Sequence, residues 1–283
     1  MTRPFTTLIS AQDLRDLLAG PGPTVVVDCG FDLADPDDGE FAWNAVHLAG
    51  SFYLHLDRDL SGAKTGLNGR HPLPERAAFA ATLGRLGITP ATQVVALDRQ
   101  GGPYASRLWW MLRWMGHEAV AVLDGGLDAW RAAGGAVDSN VPVARPAPPY
   151  PERASLAATT SADALLAQLG RVRLLDARAG ERFRGEVEPL DKVAGHIPGA
   201  LHRFFKDNLG SDGRFKPVEV LRSEFEALLG RDAAPQTIHQ CGSGVTACHN
   251  LLAMEHAGLT GSRLYAGSWS EWSADPSRPV ARG

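Results

Sequence analysis

Cysteine is scarce in this chain: Cys29, Cys241 and Cys248 are the only three among 283 residues. So odd and sparse a set does not build the disulfide framework of a small secreted domain, and a reducing, cytoplasmic setting is the expectation. Neither sign of charge dominates, with 28 Lys and Arg against 32 Asp and Glu and a formal net charge of −4. That balance argues against the broad basic surface that nucleic acid or an anionic membrane needs. Long apolar runs are missing too, none approaching the ~20 residues of a bilayer span. Residues 1–9 hold no charged stretch followed by an apolar core, so no signal peptide is expected. The nine histidines show no Cys-x2-Cys or His-Glu-x2-His spacing, so no metal is implied. No Gly-x-Gly-x2-Gly opens a helix after a strand, so no nucleotide cofactor is implied and none of any other kind is expected.

What is present in quantity is ordinary, 44% hydrophobic and 21% charged residues, as in soluble globular proteins. The length is generous for one domain and comfortable for two. The distinctive feature is repetition. Thr24-Val25-Val26-Val27-Asp28 is answered by Val172-Arg173-Leu174-Leu175-Asp176, and Val46-His47-Leu48-Ala49-Gly50-Ser51 by Gly195-His196-Ile197-Pro198-Gly199-Ala200. Thr92 to Asp98 is answered by Gln236 to Cys241, and Leu123-Asp124-Gly125-Gly126-Leu127-Asp128-Ala129-Trp130 by Tyr265-Ala266-Gly267-Ser268-Trp269-Ser270-Glu271-Trp272. Asp28 and Asp176 lie 148 residues apart, Asp98 and Cys241 143. Four ordered matches at nearly constant offset mark a duplication.

Between the copies Pro142, Pro146, Pro148, Pro149 and Pro151 favour extended chain over helix or central strand. We therefore expect an N-terminal domain over residues 1–140, a linker over 141–154 and a C-terminal domain over 155–283. In the second copy Ser161 is a plausible N-cap for the helix it opens. Leu174 to Asp176 and Thr237 to Gln240 read as strands. Ser223 to Gly230 reads as a helix closed by glycine, and Ala247 to His256 as another. Alternating strands and helices predict an α/β fold in each copy, a mostly parallel central sheet with helices on both faces. Ligands in such sheets bind beyond the carboxyl ends of the strands, where Cys241 falls.

Gln240-Cys241-Gly242-Ser243-Gly244-Val245-Thr246-Ala247 reads as a strand-to-helix turn. Its glycines let the backbone fold tightly and aim successive N–H groups inward, and the following helix adds the positive end of its dipole. Such surroundings stabilise a thiolate, the reactive form of cysteine. Cys241 is therefore the candidate nucleophile. Cys248, two turns along the helix, and Cys29, at a strand end, read as packing residues.

The run Cys241-Gly242-Ser243-Gly244-Val245-Thr246 resembles the active loop of the 3-mercaptopyruvate sulfurtransferases, in the two-domain rhodanese superfamily. The segments Gly195 to Gly199 and Gly267 to Trp272 extend the resemblance over nearly the whole chain. It implies two tandem rhodanese-like domains and a sulfurtransferase that carries sulfane sulfur as a persulfide on Cys241. The implied donor is 3-mercaptopyruvate, since the loop side chains are neutral. The acceptor is a thiol, cyanide or a thioredoxin-like protein. Thiosulfate as donor, or a sulfur-relay module loaded by a partner protein, are the alternatives. Related cysteine phosphatases carry an arginine six positions after the nucleophile, where this chain has Ala247.

The resemblance also assigns site residues. Arg182 matches the arginine that binds the substrate carboxylate, and Gly242, Gly244, Val245 and Thr246 hold the sulfur anion. Ser243 and His71 belong to a proton relay, and Tyr104 helps line the cleft. The family's second substrate arginine has no counterpart, because Leu190-Asp191 stands near its place, with Arg184 as a substitute. The place of the relay's acid is taken by His55, and Asp57, two residues on and on the same face of a strand, could replace that acid. Asp98 occupies the position of Cys241 in the first copy, which implies a catalytically silent domain. His47 and His196 read as braces of their turns.

Overall fold

The computed structural model describes residues 3–283 and divides into two compact units. The first comprises residues 3–62, 74–156 and 211–214; the second comprises 63–73, 157–210 and 215–283. The segment 63–73 thus precedes the proline-rich stretch in sequence but packs within the second unit.

In the first unit, strands β1 (Leu8–Ile9), β2 (Thr24–Asp28), β4 (Phe52–Tyr53), β5 (Gln93–Leu97) and β6 (Val120–Leu123) form one sheet in the order β1-β6-β5-β2-β4, every pair parallel. β3 (His47–Leu48) and β7 (Val137–Asp138) make a small antiparallel pair apart from it. Five helices accompany the strands: α1 (Ala11–Ala19), α2 (Asp38–Ala45), α3 (Arg76–Arg85), α4 (Pro103–Trp114) and α5 (Gly126–Ala132). Ser10 caps α1, its hydroxyl accepting the Asp13 N–H. The β-branched runs of β2 and β5 suit strands covered on both faces. Val26, Val95 and Leu97 meet Leu14, Leu127 and Trp130 in one core cluster. The proline-rich segment lies along α3, with Ala147 and Tyr150 donating their N–H groups to the Gly84 and Ala80 carbonyls at 2.9 and 3.0 Å.

The second unit repeats the plan. β8 (Ala158–Thr159), β9 (Arg173–Asp176), β10 (Ala200–His202), β11 (Thr237–Gln240) and β12 (Arg263–Leu264) form a parallel sheet in the order β10-β9-β11-β12-β8. Strand for strand this is the order of the first sheet. Even the register is kept: Asp28 stands beside Leu97, and Asp176 beside Gln240, each one residue before the turn that bears Asp98 or Cys241. The helices are α6 (Ala162–Leu166), capped by Ser161, α7 (Gly180–Arg184), α8 (Val218–Leu229), α9 (Ala247–His256) and α10 (Ser268–Trp272). α8 begins at Val218, a turn and more before Ser223, because Leu221 shares the buried stripe of Phe225 and Leu229. No helix among the described residues is long and apolar enough to cross a membrane.

β11 differs from the apolar β5 in carrying His239 and Gln240, both fully buried. Neither ring nitrogen of His239 has a hydrogen-bond partner, and burial lowers its pKa from 6.5 to about 3. The folded chain therefore refuses a proton that the unfolded chain accepts near pH 6.5. Stability is fully present above that pH and falls, by up to ~1.4 kcal/mol per unit, as pH drops toward 3. Replacing His239 by Leu should flatten this acid limb, as read from denaturant midpoints between pH 4 and 7; an unchanged slope would show that the acid sensitivity lies elsewhere.

Candidate active site

The turn after the central strand of each sheet leads straight into a helix, which leaves N–H groups without carbonyl partners. In the first unit the strand is β5 and the turn begins at Asp98, whose carboxylate takes them up. Oδ1 accepts from Gln100 and Gly102 at 3.0 and 2.8 Å, and Oδ2 from Tyr104 and Ala105 at 2.8 and 3.0 Å. Burial pushes the Asp98 pKa up, while these four bonds pull it down. The turn is a backbone cradle for an anion, filled by the chain itself.

In the second unit Cys241 takes the place of Asp98. The cysteine is only 2% exposed, and Gly242, Ser243, Gly244 and Val245 are buried with it, Thr246 partly so. Among the described residues, no loop or turn hydrogen bond uses the N–H of Gly242, Ser243, Val245 or Thr246. The loop is held from outside by α10. Trp269 and Ser270 donate their N–H groups to the carbonyls of Cys241 and Gly242 at 3.0 and 2.9 Å, and Ser268 Oγ accepts the Cys241 N–H at 3.1 Å. Ser268 holds a positive φ of 53°, a position that in the first copy belongs to Gly126, φ 56°. The same hydroxyl donates to the Tyr265 carbonyl at 3.0 Å, so it locks both its own strained turn and the nucleophile's backbone.

His71, on the segment 63–73 of the same unit, brings Nδ1 to 2.7 Å from Ser243 Oγ, both groups buried. The two residues assigned to a relay are thus in direct contact. Arg182 lies in the middle of α7, and one of its Nη atoms would stand 3.4 Å from a β-carbon on Gly242. Arg70, the neighbour of His71, stands closer still, with Nη2 at 2.8 Å from that point. Two guanidiniums therefore flank the residue after the nucleophile. Asp191 bridges them, one oxygen on Arg70 Nη1 and the other 3.5 Å from Arg182 Nη2. Glu188 accepts from Arg182 at 2.7 Å and faces Arg178 at 3.5 Å, and Arg178 is paired with Asp176 at 2.7 Å.

No local pattern in the sequence singles out Arg70, whose partner Asp191 lies 121 residues away. Arg184, read as the substitute for a missing arginine, is instead half-exposed and committed to Glu186, with N–O distances of 2.7 and 2.9 Å. His55 has a structural occupation in the first unit. Its Nδ1 accepts from the Asp57 and Arg58 N–H groups, and Nε2 faces the Pro36 carbonyl at 3.1 Å. Both ring nitrogens of His55 are thus engaged within the first unit. Tyr104 sits at the start of α4, its N–H on Asp98 and its ring edge-on to Phe31. His47 bonds the Trp43 carbonyl at 2.7 Å and His196 the Phe183 carbonyl at 2.8 Å, each bracing its turn. Cys248 points at the Gly244 carbonyl at 3.4 Å, and burial holds the Cys29 thiol well above its ordinary pKa.

The rhodanese-like domain family matches residues 10–133 and again 161–275. A probable 3-mercaptopyruvate sulfurtransferase of Pseudomonas aeruginosa is 48% identical over 280 residues, 98% of either chain. A putative thiosulfate sulfurtransferase of Mycobacterium tuberculosis is 39% identical over 98% of this chain and 97% of its own. Among solved structures, the 3-mercaptopyruvate sulfurtransferase of Leishmania major superposes with a TM-score of 0.85 at 30% identity, over 96% of this chain and 75% of that one.

The two loop glycines are required for different reasons, which a pair of substitutions separates. Gly244 has φ of 75°, and a β-carbon there would overlap the Ala266 carbonyl. Gly244→Ala should cost more than ~1 kcal/mol of stability. Gly242 is not in the left-handed region, and the atoms nearest its β-carbon would be the movable ends of Arg70 and Arg182. Gly242→Ala should leave the melting temperature within a few degrees but raise the KM for an anionic donor about tenfold or more. Equal losses of stability in both variants would refute this division.

Proposed function

This chain belongs to the rhodanese-like family and is a sulfurtransferase, and on that premise we propose that it draws sulfur from 3-mercaptopyruvate onto Cys241. The observation that carries the reading is the cradle: the loop that holds a carboxylate in the first unit begins, in the second, with a cysteine. An anionic sulfur on Cys241 would meet the N–H groups of Gly242 to Thr246 and the positive end of α9.

The chemistry follows in two steps. The Cys241 thiolate attacks the thiol sulfur of mercaptopyruvate. A sulfur–sulfur bond forms, the carbon–sulfur bond breaks, and its electron pair leaves on the enolate of pyruvate. The proton of the transferred thiol passes by way of Ser243 and His71 to the enolate carbon, so pyruvate departs and Cys241 keeps an ionised persulfide. Arg182 holds the donor carboxylate, for which a planar guanidinium fork is suited. In the second step an acceptor attacks the outer sulfur and Cys241 returns as the thiolate. The acceptor is a thiol, small or on a thioredoxin-like protein, or cyanide, in the cytoplasm. Asp98 cannot carry sulfur, so the loop of the first domain (residues 1–140) is silent and the second domain (155–283), joined by 141–154, bears the nucleophile, while the segment 63–73 packs with it and brings His71.

The contact between His71 and Ser243 favours mercaptopyruvate over thiosulfate, because an enolate needs a proton on leaving and sulfite does not. Thiosulfate is the second reading, supported by the two guanidiniums that flank Gly242 and can each donate to an anionic donor. Intact-mass measurement after mercaptopyruvate treatment should find one added sulfur in the wild type and none in Cys241→Ser; added sulfur that survives this substitution would end the proposal. His71→Gln should slow pyruvate release from mercaptopyruvate by about a hundredfold to ten-thousandfold. Thiosulfate turnover should stay near the wild-type rate. Equal slowing with both donors would remove the proton-relay role.

A further inference from the structure

The helix that follows the nucleophile's turn, α9, starts without a side-chain cap from Thr246. In the first copy the matching helix α4 is held at its start by Asp98, which takes the Tyr104 and Ala105 N–H groups. Cys241 offers no carboxylate to the first turn of α9, so that turn is fastened from its flank instead. His249 and Asn250 lie in it and are fully buried, as is Asn208, which ends a short 3-10 turn, Phe205–Asn208. Asn208 Nδ2 donates to His249 Nδ1 at 3.1 Å and to Asn250 Oδ1 at 2.6 Å, across 41 and 42 residues. Its Oδ1 accepts from Arg203 Nε and Nη2 at 3.1 and 3.0 Å. Both hydrogens of the amide nitrogen and both lone pairs of the oxygen are thereby used, which fixes the side chain in one orientation. The His249 ring stacks on Phe215 with centroids 4.5 Å apart. Arg203 and Phe205 in turn donate their N–H groups to the carbonyls of Asp176 and Ala177 at 3.0 and 3.2 Å. Asn208 thus ties the start of α9 to the end of β9, the strand beside β11.

The first copy makes half of this arrangement. Asn250 Nδ2 donates to the Arg203 carbonyl at 2.9 Å. Arg107 Nη2 donates to the Leu60 carbonyl at 3.3 Å, and both ends of that bond lie at the offset of 143 residues that relates Asp98 to Cys241. A tie from the helix to the segment beside it is therefore common to the two copies. The second tie is not. Ser106, in the place of His249, directs its hydroxyl to the Gly102 carbonyl at 2.6 Å, within its own helix turn. The link from Asn208 to His249 belongs to the copy that lacks the built-in carboxylate. A helix terminus acts on a charge only through its first turn, so the placing of that turn decides how well it holds an anion at Cys241. We propose that Asn208 is a positioning residue for sulfur transfer: by holding His249 and Asn250 it keeps the first turn of α9 aimed at Cys241, where it stabilises the thiolate and the persulfide. The inference rests on Cys241 being the anionic nucleophile proposed above. Asn208 acts through the helix.

Alkylation of Cys241 by iodoacetamide, a neutral reagent, reads the thiolate without any donor. Followed by peptide mass across pH, its midpoint in Asn208→Ala should lie about half a unit or more above that of the wild type. The mercaptopyruvate kcat should fall about threefold to tenfold while KM stays within about twofold. His249→Phe keeps a ring against Phe215 and removes the acceptor, so its midpoint should move the same way by a smaller amount. Adding it to Asn208→Ala should bring little further change, because both remove one link. Arg70, Arg182 and His71, the charged and titratable groups beside the loop, remain in every variant. Leu229→Ala, which opens a cavity in the core under α8, should lower the melting temperature and leave the midpoint in place. Midpoints within about 0.2 unit of wild type in folded Asn208→Ala and His249→Phe would overturn the inference. An equal shift in Leu229→Ala would overturn it too, since loosening of the unit would then suffice. If Asn208→Ala fails to fold, His249→Phe decides. A wild type that formed no persulfide from mercaptopyruvate would instead count against the donor assignment, while the midpoints would still report on Asn208.

Discussion

A strand that runs directly into a helix leaves several N–H groups unpaired, and after β5 and β11 those groups are buried. Burying them without an acceptor costs far more than leaving them in water, so such a turn requires an anion. The first unit supplies its own, since the two carboxylate oxygens of Asp98 take four N–H bonds within one residue's reach. The second unit keeps the turn and removes the carboxylate. Its loop is consequently held by other means, through the α10 N–H groups on the Cys241 and Gly242 carbonyls and the Ser268 hydroxyl on the Cys241 N–H. Fastening from behind leaves the inward side of the cradle for a sulfur anion.

Duplication makes the differences between the copies informative. Sheet order and register are conserved between the units, so each departure has a local cause. Gly126 meets the demand for positive φ at no steric cost, whereas Ser268 accepts that conformation and repays the strain with two hydrogen bonds at its hydroxyl. At the strand ends, Asp176 is clamped by Arg178, while Asp28 has only the Gly30 N–H and a more distant Arg99, and burial raises its pKa to about 6. The better-satisfied acid is in the copy that bears the cysteine. There, Arg178 carries charge onward to Glu188 and Arg182.

How much of this was legible in the sequence depends on contact range. Strands, caps and the order of elements follow from short-range pattern, and the repeat itself gave the correspondence of Asp98 with Cys241. Ser161 as a cap and the bounds of β11 and α9 needed only their neighbours. Arg70 could not be found that way. Its partner Asp191 is 121 residues distant, and the segment that bears it folds with the later unit despite its place in the earlier repeat. His71 faced the same distance to Ser243, 172 residues, and was named only because a family resemblance supplied it. Arg184 failed for the opposite reason: Glu186, two residues on, offered a local partner that a longer-range role could not match. Polar β11 was read correctly as strand, yet nothing local announced that His239 would be sealed in without a partner.

Six charged groups held beside one loop are poorly explained as a device for stability. Buried ion pairs recover little more than their desolvation cost, and apolar side chains of the same volume often serve as well. The first unit bears this out, because its cradle closes around an anion that is covalently part of the chain and Arg99, at the position of Gly242, turns to the carbonyls of Ala42 and Val46 instead. An anion that must come and go cannot be held by the backbone of one turn alone, since every departure would expose the same buried N–H groups unpaired. Fixed cations at the entrance meet that difficulty, and fixed acids behind them keep the cations in place. On the proposed reading, replacing Asp98 by a cysteine therefore demanded more than a change of nucleophile: it required charge from segments remote in sequence, brought to Gly242 by Arg70 and Arg182.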